Sequence, residues 1–238
     1  MRVNRSANTK IVPSYLYRIQ SFDRVVKIFE EGALYIAHPT TWDDPYESRL
    51  RHEASNALFA QCWGRKGVSD AMWRIYSPDR LGVRIRTTQE KLRSAIIDGI
   101  RGDGLKYRLR KVEYMSQATL NIKLRQLASD LNAEFSPARA ADALLWKRLA
   151  FEHEKEMRLI VYRKERKTNQ ERGIKIKVDA HTLIEDVLID PRAPEEFVRA
   201  YQLYFREKLG FKGRVAKSQL YAEQTPIEIL GIDPAEGL

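Results

Sequence analysis

A chain of 238 residues with 43% hydrophobic and 31% charged residues holds enough apolar side chain for a sizeable core. It contains no apolar run approaching the ~18 residues of a membrane helix, so a helical span is excluded. A formal net charge of +10 favours polyanionic partners such as nucleic acid or an acidic protein. The single cysteine, Cys62, excludes an intrachain disulfide and a zinc site built on cysteines. With a basic N-terminus that lacks the apolar stretch of a signal peptide, the expectation is a cytoplasmic protein.

Residues 1–12 are polar and basic and are expected to form a flexible arm, with one α+β domain over 13–238. Residues 14–20 read as a strand. Ser21 is placed to cap a helix whose apolar stripe is Phe22, Val25, Val26 and Phe29, and Gly32 ends it. A second strand over 33–38 leads into a turn-rich loop, 39–48. The run Ala57–Trp63 reads as a buried strand, and a short helix or turn over 69–76 carries Trp73 and Tyr76. Period-two alternation predicts a half-exposed strand over 81–87 and another over 105–115, with a helix over 88–99 between them.

A helix follows over 117–131. Ser136-Pro137 is a cap and first-turn pair for another, running to about 152. Strands are expected over 157–162, 173–178 and 183–190. Pro194 opens a helix with Phe197, Val198, Tyr201, Phe205 and Leu209 on one side, ended by Gly210, and a last strand lies near 214–221. Helices interrupt the strands irregularly, which argues against a doubly wound parallel sheet. The fold class is α+β: a split mixed β-sheet flanked by helices.

Few familiar motifs occur. The sequence has no glycine-rich dinucleotide or phosphate loop, no nucleophile elbow and no His-Glu-x-x-His. Its four histidines, His38, His52, His153 and His181, are scattered. Asp43, Asp44 and Glu47 are hard-cation ligand types, but Trp42-Asp43-Asp44-Pro45-Tyr46 equally suits a turn in which aspartates bond nearby amides, so no metal is assigned. Cys62 lies in an apolar strand and reads as a structural thiol. Basic residues cluster at 101–111 and again at Arg163, Lys164, Arg166 and Lys167, a candidate surface for nucleic acid or a protein partner.

Several segments together resemble a large uncharacterised bacterial family, the domain-of-unknown-function 2971 family. They are Leu16-Tyr17-Arg18; Gly32-Ala33-Leu34-Tyr35 leading to Trp42-Asp43-Asp44-Pro45-Tyr46; Met72-Trp73-Arg74-Ile75-Tyr76 before Gly82-Val83-Arg84-Ile85; and Trp146 followed by Glu154-Lys155-Glu156-Met157-Arg158. A weaker resemblance is to ADP-ribosyltransferase folds. Arg18 fits their first-strand arginine, Tyr76 or Trp73 the mid-chain aromatic, and Glu156 the glutamate that opens a late strand, with Glu154 completing Glu-x-Glu. The family's Ser-Thr-Ser element has no counterpart.

That resemblance implies NAD as substrate and an effector role in a toxin or in phage defence, with nucleic acid or protein as acceptor. Breaking the nicotinamide–ribose bond builds oxocarbenium-like charge, which a carboxylate stabilises; Glu156 takes that place. Arg18 would bind ribose and phosphate oxygens, with Tyr17, Trp73 and Tyr76 as further cofactor contacts, and Glu154 would orient or deprotonate the acceptor. Competing explanations keep their place. Glu154, Glu156 and Arg158 also fit the solvated face of an alternating strand, and Arg18 a structural ion pair with one of the glutamates. The protein as a whole also fits a basic nucleic-acid-binding module or nuclease, or a scaffold subunit with an exposed aromatic face on helix 194–209.

Overall fold

A computed structural model describes residues 13–42, 44–49, 57–163 and 171–225. The expected basic arm at 1–12 lies outside the described residues, as do Asp43, His52, Lys164, Arg166 and Lys167. In chain order the elements are β1 (Tyr15–Gln20), α1 (Phe22–Glu31), β2 (Ala33–Ala37), β3 (Leu58–Gly64), α2 (Asp70–Tyr76), β4 (Val83–Thr88), α3 (Gln89–Gly99), β5 (Leu105–Lys111) and β6 (Glu113–Met115). Then come α4 (Gln117–Ala133), α5 (Pro137–Ala140), β7 (Trp146–Arg148), β8 (Glu156–Arg163), β9 (Gly173–Lys177), α6 (Ala180–Leu183), β10 (Asp186–Ile189), α7 (Glu195–Leu203) and β11 (Arg214–Lys217).

Nine strands share one mixed sheet, with the path β11-β10-β4-β1-β3-β2-β9 and with β8 and β5 added beside β3. Among the described residues only β10 and β11 pair in parallel within it. The sheet splits at β3. One edge of β3 is continuous with β8 from Leu58 to Gly64. Its other edge is divided: β1 joins at Gly64, opposite Tyr17, and β2 joins at Ala60, opposite Ala37. Between those two points side chains span the gap. Arg18 Nη1 donates to the Cys62 carbonyl at 2.5 Å, and Gln61 Nε2 donates to the Tyr35 carbonyl at 3.0 Å.

Each sheet face has its own apolar layer. One face presents Leu16, Val83, Ile85, Leu159 and Val187 to α1, α3 and α7, which return Val25, Leu92, Ile96 and Val198. On the other face Leu58, Ala60 and Ile160 meet the buried stripe Leu120, Leu124, Leu127 and Leu131 of α4, spaced at one helical turn. Ser69, Thr88, Ser116 and Ser136 each accept an amide of the first turn of their helix, whereas Ser21, expected to cap α1, holds the N-cap position without a side-chain cap bond. Gly32, at φ +56°, closes α1 in the left-handed conformation.

Four expectations need correction. The alternating run 105–115 is two strands, because Val112 turns inward and β6 leaves to pair with β7 in a small separate sheet. The half-exposed strand at 81–87 is β4, mostly buried because it has neighbours on both edges and an apolar layer against Val83 and Ile85. The helix expected to reach 152 stops at Ala140 and gives way to 3-10 turns around β7. There the extended backbone satisfies itself against β6, and Lys147 is drawn into a cluster of carboxylates. The aromatic face of the 194–209 helix is largely occupied: Phe22 stacks on Tyr201 at 3.9 Å between centroids, Phe205 is fully buried, and Phe197 and Leu203 remain exposed.

Candidate functional site

Glu156 opens β8 in the same row as Gly64 and Tyr17, beside the point where β1 parts from β3. Its neighbour Lys155 adopts φ +45°, a left-handed conformation that costs a side-chain-bearing residue about 1–2 kcal/mol. The bend ends the 3-10 segment at Glu154 and starts the strand at Glu156. Both carboxylates point inward: Glu154 is 6% exposed and Glu156 3%.

Two cations hold them. Lys147 Nζ donates to Glu156 Oε1 at 2.7 Å and to Glu154 Oε2 at 2.9 Å. Arg158, fully buried, donates through Nε to Glu156 Oε2 at 2.7 Å and through Nη1 to the Leu144 carbonyl at 2.7 Å. Its Nη2 also bonds Glu47, and its guanidinium lies 4.7 Å from the Trp42 ring centroid. Glu47 stands 3.7 Å from Lys147 Nζ. Tyr76 Oη donates to Glu154 Oε2 at 3.3 Å, and the Glu156 amide donates to Tyr114 Oη at 2.8 Å.

Glu47, Glu154 and Glu156 thus face Lys147 and Arg158, and the imbalance falls on Glu154. Burial pushes its carboxyl up and the hydrogen bond and charge of Glu156 add to this; Lys147 only partly offsets them, leaving its pKa at about 7. Glu156 goes the other way. Burial again opposes ionisation, but the charge of Arg158, the hydrogen bond from Glu154 and the charge of Lys147 outweigh it and hold this carboxyl well below the usual range. For Lys147 burial is overcome by Glu156 and Glu47, and it stays protonated above its ordinary value. One carboxylate is fixed as an anion and its neighbour is poised to exchange a proton near neutrality.

The residues singled out in the sequence divide accordingly. Tyr76, Glu154 and Glu156 converge, and Arg18 stands at the split on the neighbouring strand. Arg18 bridges the split to Cys62, and burial, the largest influence, lowers its pKa while Cys62, Tyr76 and Glu156 lie near enough to act on its charge. Its Nε is buried without a hydrogen-bond partner. Tyr17 shares the Glu156 row one strand beyond Gly64. Trp73 is buried at 2% exposure. Arg163 pairs with Glu171 at 2.6 Å, and the rest of that basic run lies outside the described residues. A solvated face at Glu154, Glu156 and Arg158 is contradicted, because all three are buried.

Three participants were missed. Lys147 was hidden inside an expected helix. Arg158 carried a signal, since residues two apart on a strand share a face with Glu156. In the sequence Glu47 reads as a hard-cation ligand type beside Asp43 and Asp44, whereas Asp44 caps the following turn and accepts from Arg148 Nη2 at 3.1 Å. Among the described residues no group of three potential ligand side chains is arranged for a metal.

Residues 72–159 match the family described as "Protein of unknown function (DUF2971)", the family to which the sequence pointed. The match runs from α2 into β8 and includes Tyr76, Lys147, Glu154, Glu156 and Arg158. Among solved structures the chain is similar to Thermus sp. 2.9 DarT in complex with NAD+, at 12% identity and a TM-score of 0.41 over 87% of this chain and 96% of that one. It is also similar to the same protein in complex with ADP-ribosylated ssDNA, at 13% identity and a TM-score of 0.41 over 87% and 95% of the two chains. No curated protein matches the chain.

Proposed function

We propose that this protein consumes NAD as an ADP-ribosyltransferase-like enzyme, with its reaction at the split between β1 and β3. The observation that carries the proposal is convergence. Tyr76 bonds Glu154, Glu154 and Glu156 share Lys147, and Arg18 reaches across the split from β1 to the Cys62 carbonyl, three distant segments brought to the place where β3 exchanges one neighbour for another. In this reaction the nicotinamide leaves with the electron pair of its bond to the ribose. Glu156, kept ionised by Arg158 and Lys147, stabilises the positive charge left on the sugar. The acceptor nucleophile then bonds to the ribose carbon while Glu154 takes its proton, which suits a carboxyl poised near neutrality. Arg18 supplies a positive charge for the pyrophosphate.

One observation favours a second explanation. Both oxygens of Glu156 are already taken by cations and the residue is 3% exposed, as in a purely structural ionic staple. Nicotinamide release separates the two. The enzyme should release nicotinamide from NAD, and both Glu156→Gln and Arg18→Lys should abolish release while circular dichroism reports a folded chain. A staple predicts no release by the wild type under any acceptor condition, and a lowered melting temperature in Glu156→Gln.

A further inference from the structure

The α4 layer covers only one half of the sheet face that holds Glu156, and on the other half the loop after β3 lies over Tyr17 and Arg84. The α4 layer sits on Leu58, Ala60 and Ile160, the β3–β8 half, and its cluster includes no residue of β1, β4, β10 or β11. Strand register sets one row of residues across that other half. Glu156 pairs with Gly64, Gly64 with Tyr17, Tyr17 with Arg86, Arg86 with Asp186, and Asp186 with Arg214. Directly paired residues point to the same face. At about 4.8 Å per strand the row extends about 14 Å from Glu156 to Arg86 and about 24 Å to Arg214.

Its chemistry is cationic and aromatic. Arg86 lies 4.7 Å from the Tyr15 ring centroid and Arg84 4.7 Å from that of Tyr17. Arg84 has a side chain only 9% exposed, its nearest carboxylate stands 3.9 Å away, and its Nε is buried without a hydrogen-bond partner. Asp186 is shared among Arg84, Arg86 and Arg214, and Glu185 between Arg86 and Lys91, so two acids face four bases and leave a positive excess. Arg214 is 63% exposed at its side chain. The loop after β3 adds exposed Arg65 and Lys66, and at Gly67 it packs so close to the Tyr17 ring that a Cβ there would lie 2.8 Å from it.

We propose that this row is a track for single-stranded nucleic acid, running from Arg214 over Arg86 and the two tyrosines toward Glu156. Guanidinium groups would take the phosphates, and the tyrosine rings give unpaired bases a stacking surface that an acidic protein would not use. That the strand is the acceptor rests on the transferase proposal; that it binds does not.

The test is anisotropy of a short labelled single strand, DNA and RNA in separate arms, without NAD. Arg86→Gln with Arg214→Gln should weaken binding by about tenfold and reduce the salt slope by about 1.4, two contacts at about 0.7 each. Lys66→Gln with Arg214→Gln, which alters exposed side chains alone, should act in the same direction if the first pair impairs folding. Tyr15→Leu should cost about fivefold or more. A charge-matched control at exposed Arg125 and Lys208, each changed to Gln, should stay within about twofold of wild type. Binding is read without NAD and nicotinamide release is read with it, so failure of the track and failure of the transferase proposal are distinguishable. Equal loss in the control pair would overturn the proposal, and so would competition by duplex or polyglutamate as effective as that of the single strand.

Discussion

Glu154→Gln isolates the proton that the cluster is built to hold. The folded protein raises the Glu154 carboxyl from 4.5 to about 7, burial being the main cause and Glu156 the next. A raised carboxyl means that, between those two values, the folded state keeps a proton the unfolded chain has released. Stability therefore falls as pH rises through that window and is fully penalised above it. At about 1.4 kcal/mol per pH unit the penalty reaches about 3 kcal/mol. Glutamine is a permanent copy of the protonated form. It still accepts from Lys147 and leaves Glu47 and Glu156 balanced by Lys147 and Arg158. The variant should melt about 6–12 °C above wild type near pH 8, and the gap should close below about pH 5, given about 2–4 °C per kcal/mol for a chain of this size. Thermal denaturation of both proteins across that range is the assay. A variant that melts below wild type at the alkaline end, or a gap independent of pH, would refute the assignment of the proton to Glu154.

Three further outcomes follow from the same geometry. Lys147→Met leaves Glu154 and Glu156 buried without their shared cation and should lose about 3–5 kcal/mol in urea denaturation, with the loss shrinking as acid protonates the carboxyls. Gly99→Ala places a Cβ 2.3 Å from the Lys177 carbonyl, where α3 closes on β9, and should cost about 1–3 kcal/mol by the same measurement. The Cys62 thiol, pushed up to about 12 chiefly by burial, should react far more slowly with a disulfide reagent at neutral pH than a free thiol does; rapid labelling of the folded protein would contradict its placement.

The parts of this fold that were legible in the sequence are those whose signals are local. The Ser21 to Gly32 helix, the α4 stripe and the Thr88-capped helix each announce themselves through periodicity and end residues. Arg18 and Glu156 enter as a pair through the resemblance to ADP-ribosyltransferase folds, whereas local signals place them only on the first strand and at the start of a late one. Lys147 was not. Its segment, with Pro137 at the start and alanines after it, reads as a helix, and only the pull of two carboxylates and the pairing with β6 makes it extended. The split at β3 is invisible locally too, since it depends on which strands share an edge. For the same reason the Glu156-to-Arg214 row cannot be found in the sequence: its members come from six strands.

The most direct test of the NAD assignment is the structure of the protein bound to a non-hydrolysable NAD analogue. The nicotinamide ribose should lie within hydrogen-bond distance of Glu156 or Glu154, with Arg18 facing the pyrophosphate and Tyr76 against the nicotinamide. Occupation instead of the 1410 Å³ cavity lined by Gly32, Gln89, Ser94 and Thr182, or no occupation at saturating analogue, would contradict it.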